Sequence, residues 1–185
     1  MTESVKELQK VKINTPKGMT SFPSLFKAKE FNGKSKFECT ILVDKSADLT
    51  KLKTLVKDMV MAKWGKMPAK FTSPFKDGND KDLEKYPTYA DKIVLTASSQ
   101  YMPQSIDDNM EEILDENDVF AGCEGRMAVS AFPWEYMGKH GVSFNIVAYQ
   151  KTGEGERIGG RANASELFGD GTVTKKETVD DEFDL

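Results

Sequence analysis

The sequence predicts a mainly β protein whose strands close into a small barrel, with one principal helix and one long loop. Three observations point there. Several short runs alternate apolar and polar residues, which is the period of a half-buried strand. Only one segment carries the helical period. The 185 residues are 38% hydrophobic and 30% charged, enough core for one domain of ordinary size and too much for a disordered chain.

Residues 1–20 read as a mobile or edge segment ending in the turn "TPKG", with room for an extra strand around residues 8–14. Two extended runs then flank "NGK". Asn32-Gly33 marks a hairpin because both residues tolerate positive φ. In the second run Phe37, Cys39, Ile41 and Val43 share one face, Lys36, Glu38 and Thr40 the other, and Leu42 breaks the alternation. "DLTKLKTLVKDMVMAKWG" is the helix. Leu49, Leu52, Leu55, Val56, Met59 and Val60 follow its spacing, with Lys63 at the edge. Asp48 is placed to cap its start and Gly65 to stop it.

Residues 66–91 hold three prolines, the turn "KDGND" and no steady period. They read as a long loop, and loops of that length are often functional. "KIVLTASSQ" is a strand. "SIDDNMEEILDEND" is an acidic connector with one helical turn. "GRMAVSAFPWEYM" and "GVSFNIVAYQK" are strands joined by the turn "GKHG", and "GERIGGRANASELFGDG" closes the body. The result is an OB-fold-like five-stranded barrel. An oligonucleotide-binding (OB) barrel usually carries its helix between the third and fourth strands, which the extra N-terminal strand would satisfy.

Catalytic chemistry finds little support. The one histidine, His140, sits in "GKHG", where it reads as an exposed turn residue. No GxSxG, HExxH, Walker or CxxC pattern occurs. The carboxylates of "DGND" suit a turn, and "RIGGRA" reads as a tight turn too. The acidic "DDEFD" run lacks the rigidity a Mg²⁺ site needs. No enzyme, catalytic residue, cofactor or metal is expected. Cys39 and Cys123 read as buried reduced thiols. No apolar run is long enough to span a membrane, and residues 1–15 lack the apolar stretch of a signal peptide, so the expectation is cytoplasmic.

Charge is unevenly spread. Residues 1–76 hold 16 lysines against 7 acids, residues 77–176 hold 10 bases against 18 acids, and residues 177–185 add five carboxylates and no base. A basic front suits a polyanion partner. Binding single strands without sequence preference needs a cationic groove and flat side chains on which bases stack. In "GRMAVSAFPWEY" Met127, Val129 and Ala131 form the core face. Arg126, Ala128, Ser130, Phe132, Trp134 and Tyr136 form the other, although Pro133 blurs the alternation near Trp134. In "GVSFNIVAYQK" Val142, Phe144, Ile146 and Ala148 read as core and Ser143, Asn145 and Tyr149 as outward. Phe26, Phe71 and Phe75 are interleaved with Lys27, Lys29, Lys70 and Lys76. The candidate phosphate contacts are Lys27, Lys29, Lys36, Lys76, Lys92, Arg126 and Lys139. The candidate stacking residues are Phe26, Phe75, Tyr101, Phe132, Trp134 and Tyr136.

The runs "SFPSLFKAKEFNGKSKFECTILVDK", "AKWGK", "FKDGND", "YADKIVLTASSQYMPQSID", "VFAGCEGRMAVSAF" and "GVSFNIVAYQKTGEGERIGGRANASELF" together resemble the bacteriophage single-stranded DNA-binding proteins of OB-fold type, over about residues 12–170. The resemblance implies a binding domain over residues 1–170 and a disordered, flexible acidic C-terminal tail over residues 171–185. It implies coating of single strands in phage replication or recombination, in the host cytoplasm. It also implies that the tail, through Asp180, Asp181, Glu182, Phe183, Asp184 and Leu185, recruits replication proteins such as a polymerase, helicase or primase. Related tails often end on the aromatic itself, whereas Asp184 and Leu185 follow Phe183 here. Such a tail can also occupy the basic groove as a polyanion mimic until DNA displaces it. A homodimer is compatible with this reading. The competing expectation is a protein-interaction adaptor on the same barrel; a barrel holding a small ligand fits less well, since the core residues are bulky.

Overall fold

The structure is a computed structural model that describes residues 2–159 and Phe168. The expected tail lies outside the described residues. In chain order the elements are α1 (Glu3–Gln9), β1 (Ile13–Asn14), β2 (Gly18–Phe31), β3 (Lys34–Asp44), α2 (Thr50–Trp64), β4 (Phe71–Thr72), β5 (Phe75–Asp77), β6 (Lys92–Ser99), β7 (Gln104–Ile106), β8 (Glu124–Tyr136) and β9 (Lys139–Gly153). The protein is mainly β, as expected. No helix among the described residues is long and apolar enough to cross a membrane.

The strand pairings form a circuit. β2 pairs antiparallel with β3, β3 with β6 and β8 with β9, while β6 runs parallel to β9. The circuit shuts where β2 meets β8 over only two residue pairs, Gly18 opposite Gly125 and Met19 opposite Glu124. Both glycines are required there by space. A Cβ on Gly18 would lie 2.2 Å from the Leu42 carbonyl oxygen, and one on Gly125 would lie 2.4 Å from the Tyr149 hydroxyl. β1 pairs with β8 outside the circuit. The expected N-terminal strand therefore exists but is not a member, and α2 follows the second strand of the circuit.

The start of the chain is more ordered than its sequence suggests. The Thr2 hydroxyl accepts the Val5 N–H and caps α1, which buries Val5 completely. Helix α2 buries Leu52, Leu55, Val56, Met59 and Val60, the stripe its spacing predicts. Each such side chain contributes roughly 1.5–3 kcal/mol on leaving water. Leu49 occupies the cap position itself, while Asp48, one residue earlier, accepts the Thr50 N–H at 3.0 Å. Gly65 ends the helix with φ at 73°, a left-handed conformation that suits glycine.

The segment of residues 66–91 is not a plain loop. It contributes β4, parallel to β9, and β5, antiparallel to β6, and so bridges two strand edges. Its later part explains why Leu42 breaks the alternation of β3. Leu42, Tyr89 and Val94 form a second buried cluster on the outer face, covered by Met19, Leu83 and Tyr86. In the acidic connector the expected helical turn is a 3-10 turn at Glu116–Asp118, and the unexpected β7 pairs parallel with β9.

On β8 and β9 the expected core residues Met127, Val129, Ala131, Val142, Phe144 and Ile146 are all buried. The expectation for Ala148 and Tyr149 is corrected. Ala128 faces Ala148 but Val129 faces Ile146, which leaves Val147 as an extra, bulged residue. Beyond it the phase reverses and Tyr149 enters the core. Its hydroxyl lies 2.7 Å from the Thr20 hydroxyl and 3.4 Å from the Cys123 thiol. Both cysteines are buried and free, as expected. Burial pushes the Cys39 thiol and the Tyr149 phenol well above their ordinary ranges.

Candidate nucleic-acid interface

The side chains of β3, β6 and β9 that miss the core line a polar groove. Register sets its rows: Thr40 faces Thr96, Glu38 faces Ser98, and Ser98 faces Asn145. The Thr40 and Thr96 hydroxyls are 2.8 Å apart. A cavity of about 260 Å³ sits here, lined by Lys36, Glu38, Lys76, Thr96, Ser98 and Ser143 among others.

Two candidate cations, Lys36 and Lys76, line it, and a third, Lys29, stands beside it through Glu38. Lys29 on β2 stands opposite Lys36 on β3. Glu38 lies between their ammonium groups, 3.9 Å from Lys29 Nζ and 3.0 Å from Lys36 Nζ, with its side chain only 23% exposed. That carboxylate holds two like charges together at one spot. Lys76 on β5 is exposed beside Val94, on the same face. A phosphate entering the groove meets three ammonium groups and must compete with one carboxylate.

Two candidate aromatics border the same face. Phe132 pairs with Ser143, and Trp134 lies over Gly141, where a Cβ would be 2.4 Å from the indole ring. The Trp134 indole N–H donates to the Ser143 hydroxyl at 2.9 Å, so Pro133 does not turn this ring inward. The β8–β9 hairpin extends past the groove and carries Tyr136, 70% exposed, opposite Lys139. Its turn is Met137-Gly138, with φ of 48° and 76°, the positive values a tight two-residue hairpin turn demands. His140 consequently lies in β9 rather than in the turn. Its ring meets Trp64 edge-on at 5.4 Å, and its Nε2 is 3.9 Å from Glu135.

The other candidates are not brought here. Lys27 pairs with Glu116 at 3.0 Å. Lys92 bonds Asp44 at the far end of the β3–β6 ladder. The Arg126 Nε–H donates to Gln150 at 2.8 Å, at the opposite end of β8. Tyr101 is 81% exposed in the loop after β6. Phe26 is half buried against the core, and Phe75 packs edge-on to Phe144 at 5.8 Å, so core contacts take up both rings. Asp180, Asp181, Glu182, Phe183, Asp184 and Leu185 lie outside the described residues. The sequence reading passed over Phe22 and Tyr86, whose rings meet on the outer surface beside Lys29. The "SFPS" run was the available signal, since a phenylalanine before proline at a strand bulge points to an irregular site.

A mainly β fold of this topology is shared with solved bacteriophage single-stranded DNA-binding proteins. The single-stranded DNA-binding protein of bacteriophage Enc34, solved in complex with ssDNA, superposes with a TM-score of 0.65 at 20% identity, over 80% of this chain and 89% of that one. Its C-terminal truncation gives 0.64 at 20% identity, over 80% and 88%. Gp2.5, a single-stranded DNA-binding protein encoded by bacteriophage T7, gives 0.60 at 9% identity, over 83% and 98%. Residues 9–183 match the model of the family described as Enterobacter phage Enc34, ssDNA-binding protein, and the chain belongs to that family. No curated protein matches the chain at the level of sequence.

Proposed function

We propose that this protein binds single-stranded DNA without sequence preference and coats it during phage DNA replication or recombination in the host cytoplasm. The observation that carries the reading is the groove itself, where Lys29, Lys36 and Lys76 meet the Trp134 and Phe132 edge. The five-membered strand circuit of β2, β3, β6, β9 and β8 fits an OB barrel, whose second and third strands and flanking hairpins form the usual oligonucleotide surface. β3 and β6 occupy those two places. Lysines beside flat rings suit contact with phosphates and ring faces of any base. That a family member has been solved with ssDNA supports the same reading.

The acidic tail has two roles in this proposal. It occupies the groove in the absence of DNA, and once displaced it presents Phe183 and Leu185 among carboxylates to a basic replication partner. The protein itself acts by binding and carries no catalytic step.

Fluorescence anisotropy with labelled oligo-dT, against duplex of equal length, tests the reading across a salt series. The full chain is compared with a chain ending at Lys176. Preference for the single strand, a negative salt slope and tighter binding without the tail are expected. Equal binding by both chains would remove the tail from the groove. Absence of binding by either at low salt would sink the DNA reading and favour a protein-interaction adaptor on the same scaffold.

A further inference from the structure

The groove ends at Lys29, whose ammonium group also lies 5.8 Å from the centre of the Phe22 ring. Phe22 is an unusual residue. A register shift between Ser21 and Ser24 turns it out of β2, leaving it 49% exposed. Its φ is 46°, a left-handed value that bulky side chains rarely adopt. Pro23 follows it, and a proline restricts the preceding residue to extended backbone. Strain of this kind persists where the surroundings impose it, and it concentrates at binding sites.

What the bulge achieves is a small aromatic platform. Phe22 meets Tyr86 edge-on at 5.7 Å, and Tyr86 meets Tyr89 at 5.8 Å. Tyr89 is buried and pinned by a 2.7 Å hydrogen bond between its hydroxyl and that of Ser21, so the base of the platform is fixed. Lys85 Nζ lies 5.4 Å from the Tyr86 ring centre. A cavity of about 480 Å³ opens beside the rings and continues to Phe120, with Asn117 on its wall. That volume is ample for a nucleobase.

We propose that Phe22 and Tyr86 form a base-stacking subsite for single-stranded DNA, with Lys29 and Lys85 taking the flanking phosphates. It rests on the single-strand reading of the groove and extends the path of the strand beyond it. Flat rings interleaved with ammonium groups are the combination that holds single strands regardless of sequence. Lys29 makes the subsite continuous with the groove, because the same ammonium group faces Glu38 on one side and Phe22 on the other.

The full chain and its Tyr86→Phe, Tyr86→Leu, Phe22→Tyr and Phe22→Leu variants would be titrated with oligo-dT. A Trp134→Ala variant serves as the groove control. In parallel, oligo-dT carrying 5-bromodeoxyuridine would be photocrosslinked to the full chain and the attached residues mapped by mass spectrometry. The flat replacements are expected to keep affinity, and the leucine variants to lose about five-fold or more. Crosslinks are expected at Phe22 or Tyr86. Leucine variants that bind like the parent, or crosslinks that map only to the groove or its hairpins, would overturn the subsite while leaving the groove intact. A parent chain that fails to bind would instead overturn the reading of the groove. Thermal melts of each variant separate a folding defect from a lost contact, and the crosslink map decides even where a variant fails to fold.

Discussion

Glu38 sets how firmly the groove can hold a phosphate, because its carboxylate already engages Lys29 and Lys36. Replacing it by glutamine frees both ammonium groups, and Glu38→Gln is expected to tighten oligo-dT binding about three-fold or more at moderate salt, as read by anisotropy. Lys36→Ala should weaken binding and make the salt slope shallower by about 0.7, the share of one phosphate on a single strand. Trp134→Ala should cost ~1–3 kcal/mol of binding. The buried acids give a pH prediction. Cys39 and Tyr149 have raised values in the folded chain against ordinary values of 9.0 and 10.0. Their stabilisation is therefore complete below about pH 9 and is lost as pH climbs toward the folded values. Melting temperature should hold up to about pH 9 and then fall. Tyr149→Phe, less stable at neutral pH without its bond to Thr20, should show a smaller further loss above pH 10. At this scale the sequence revealed residues on regular strands. Lys36 and Glu38 were legible from alternation alone, whereas Pro133 left the side taken by Trp134 open. Phe22 was not legible, because a bulge sets its direction, and Phe75 was misplaced because its lysine neighbours hid its register on β5.

The β8–β9 hairpin works as an element because its aromatic ring rests on a bare backbone. Gly141 leaves the space in which the Trp134 indole lies. Gly141→Ala should displace that ring, break its bond to Ser143, shift the tryptophan emission and weaken oligo-dT binding. Helix α2 offers a separate check. Gly65→Ala forces an alanine to φ of 73° and should cost ~1 kcal/mol in a denaturant melt without touching the groove. Long elements with sustained periods were readable, including α2, β3, β6 and the core faces of β8 and β9. Elements of two or three residues, such as β4, β5 and β7, have too few positions to show a period; only their partners create them. Helix α1 has seven residues, fewer than an isolated helix needs, and depends on burying Val5. The Val147 bulge left no mark in composition, yet it decides that Tyr149 enters the core and not the solvent.

For the molecule as a whole, the basic first half of the sequence does not act as a block. Some of its lysines pair with Glu116, Glu38 and Asp77, others sit along α2, and only a few reach the groove. Charge counts pointed to a polyanion partner and could not point to a place, since place depends on strand register across the circuit. That circuit narrows to two residue pairs at two places, β6 with β9 and the seam of β2 with β8 at Gly18 and Gly125. The seam imposes an order in time. Each long hairpin pairs segments close in sequence and can zip within roughly microseconds. The seam must bring residue 18 to residue 125, and non-local pairings of this sort form late and slowly. As the chain leaves the ribosome, β2, β3 and α2 can assemble while the partner of β2's free edge is still unmade. During that interval an unpaired strand edge is open to other copies of the protein. The arrival of Gly125 therefore ends the exposure of that edge at Gly18 and Met19, after the hairpins on either side have formed.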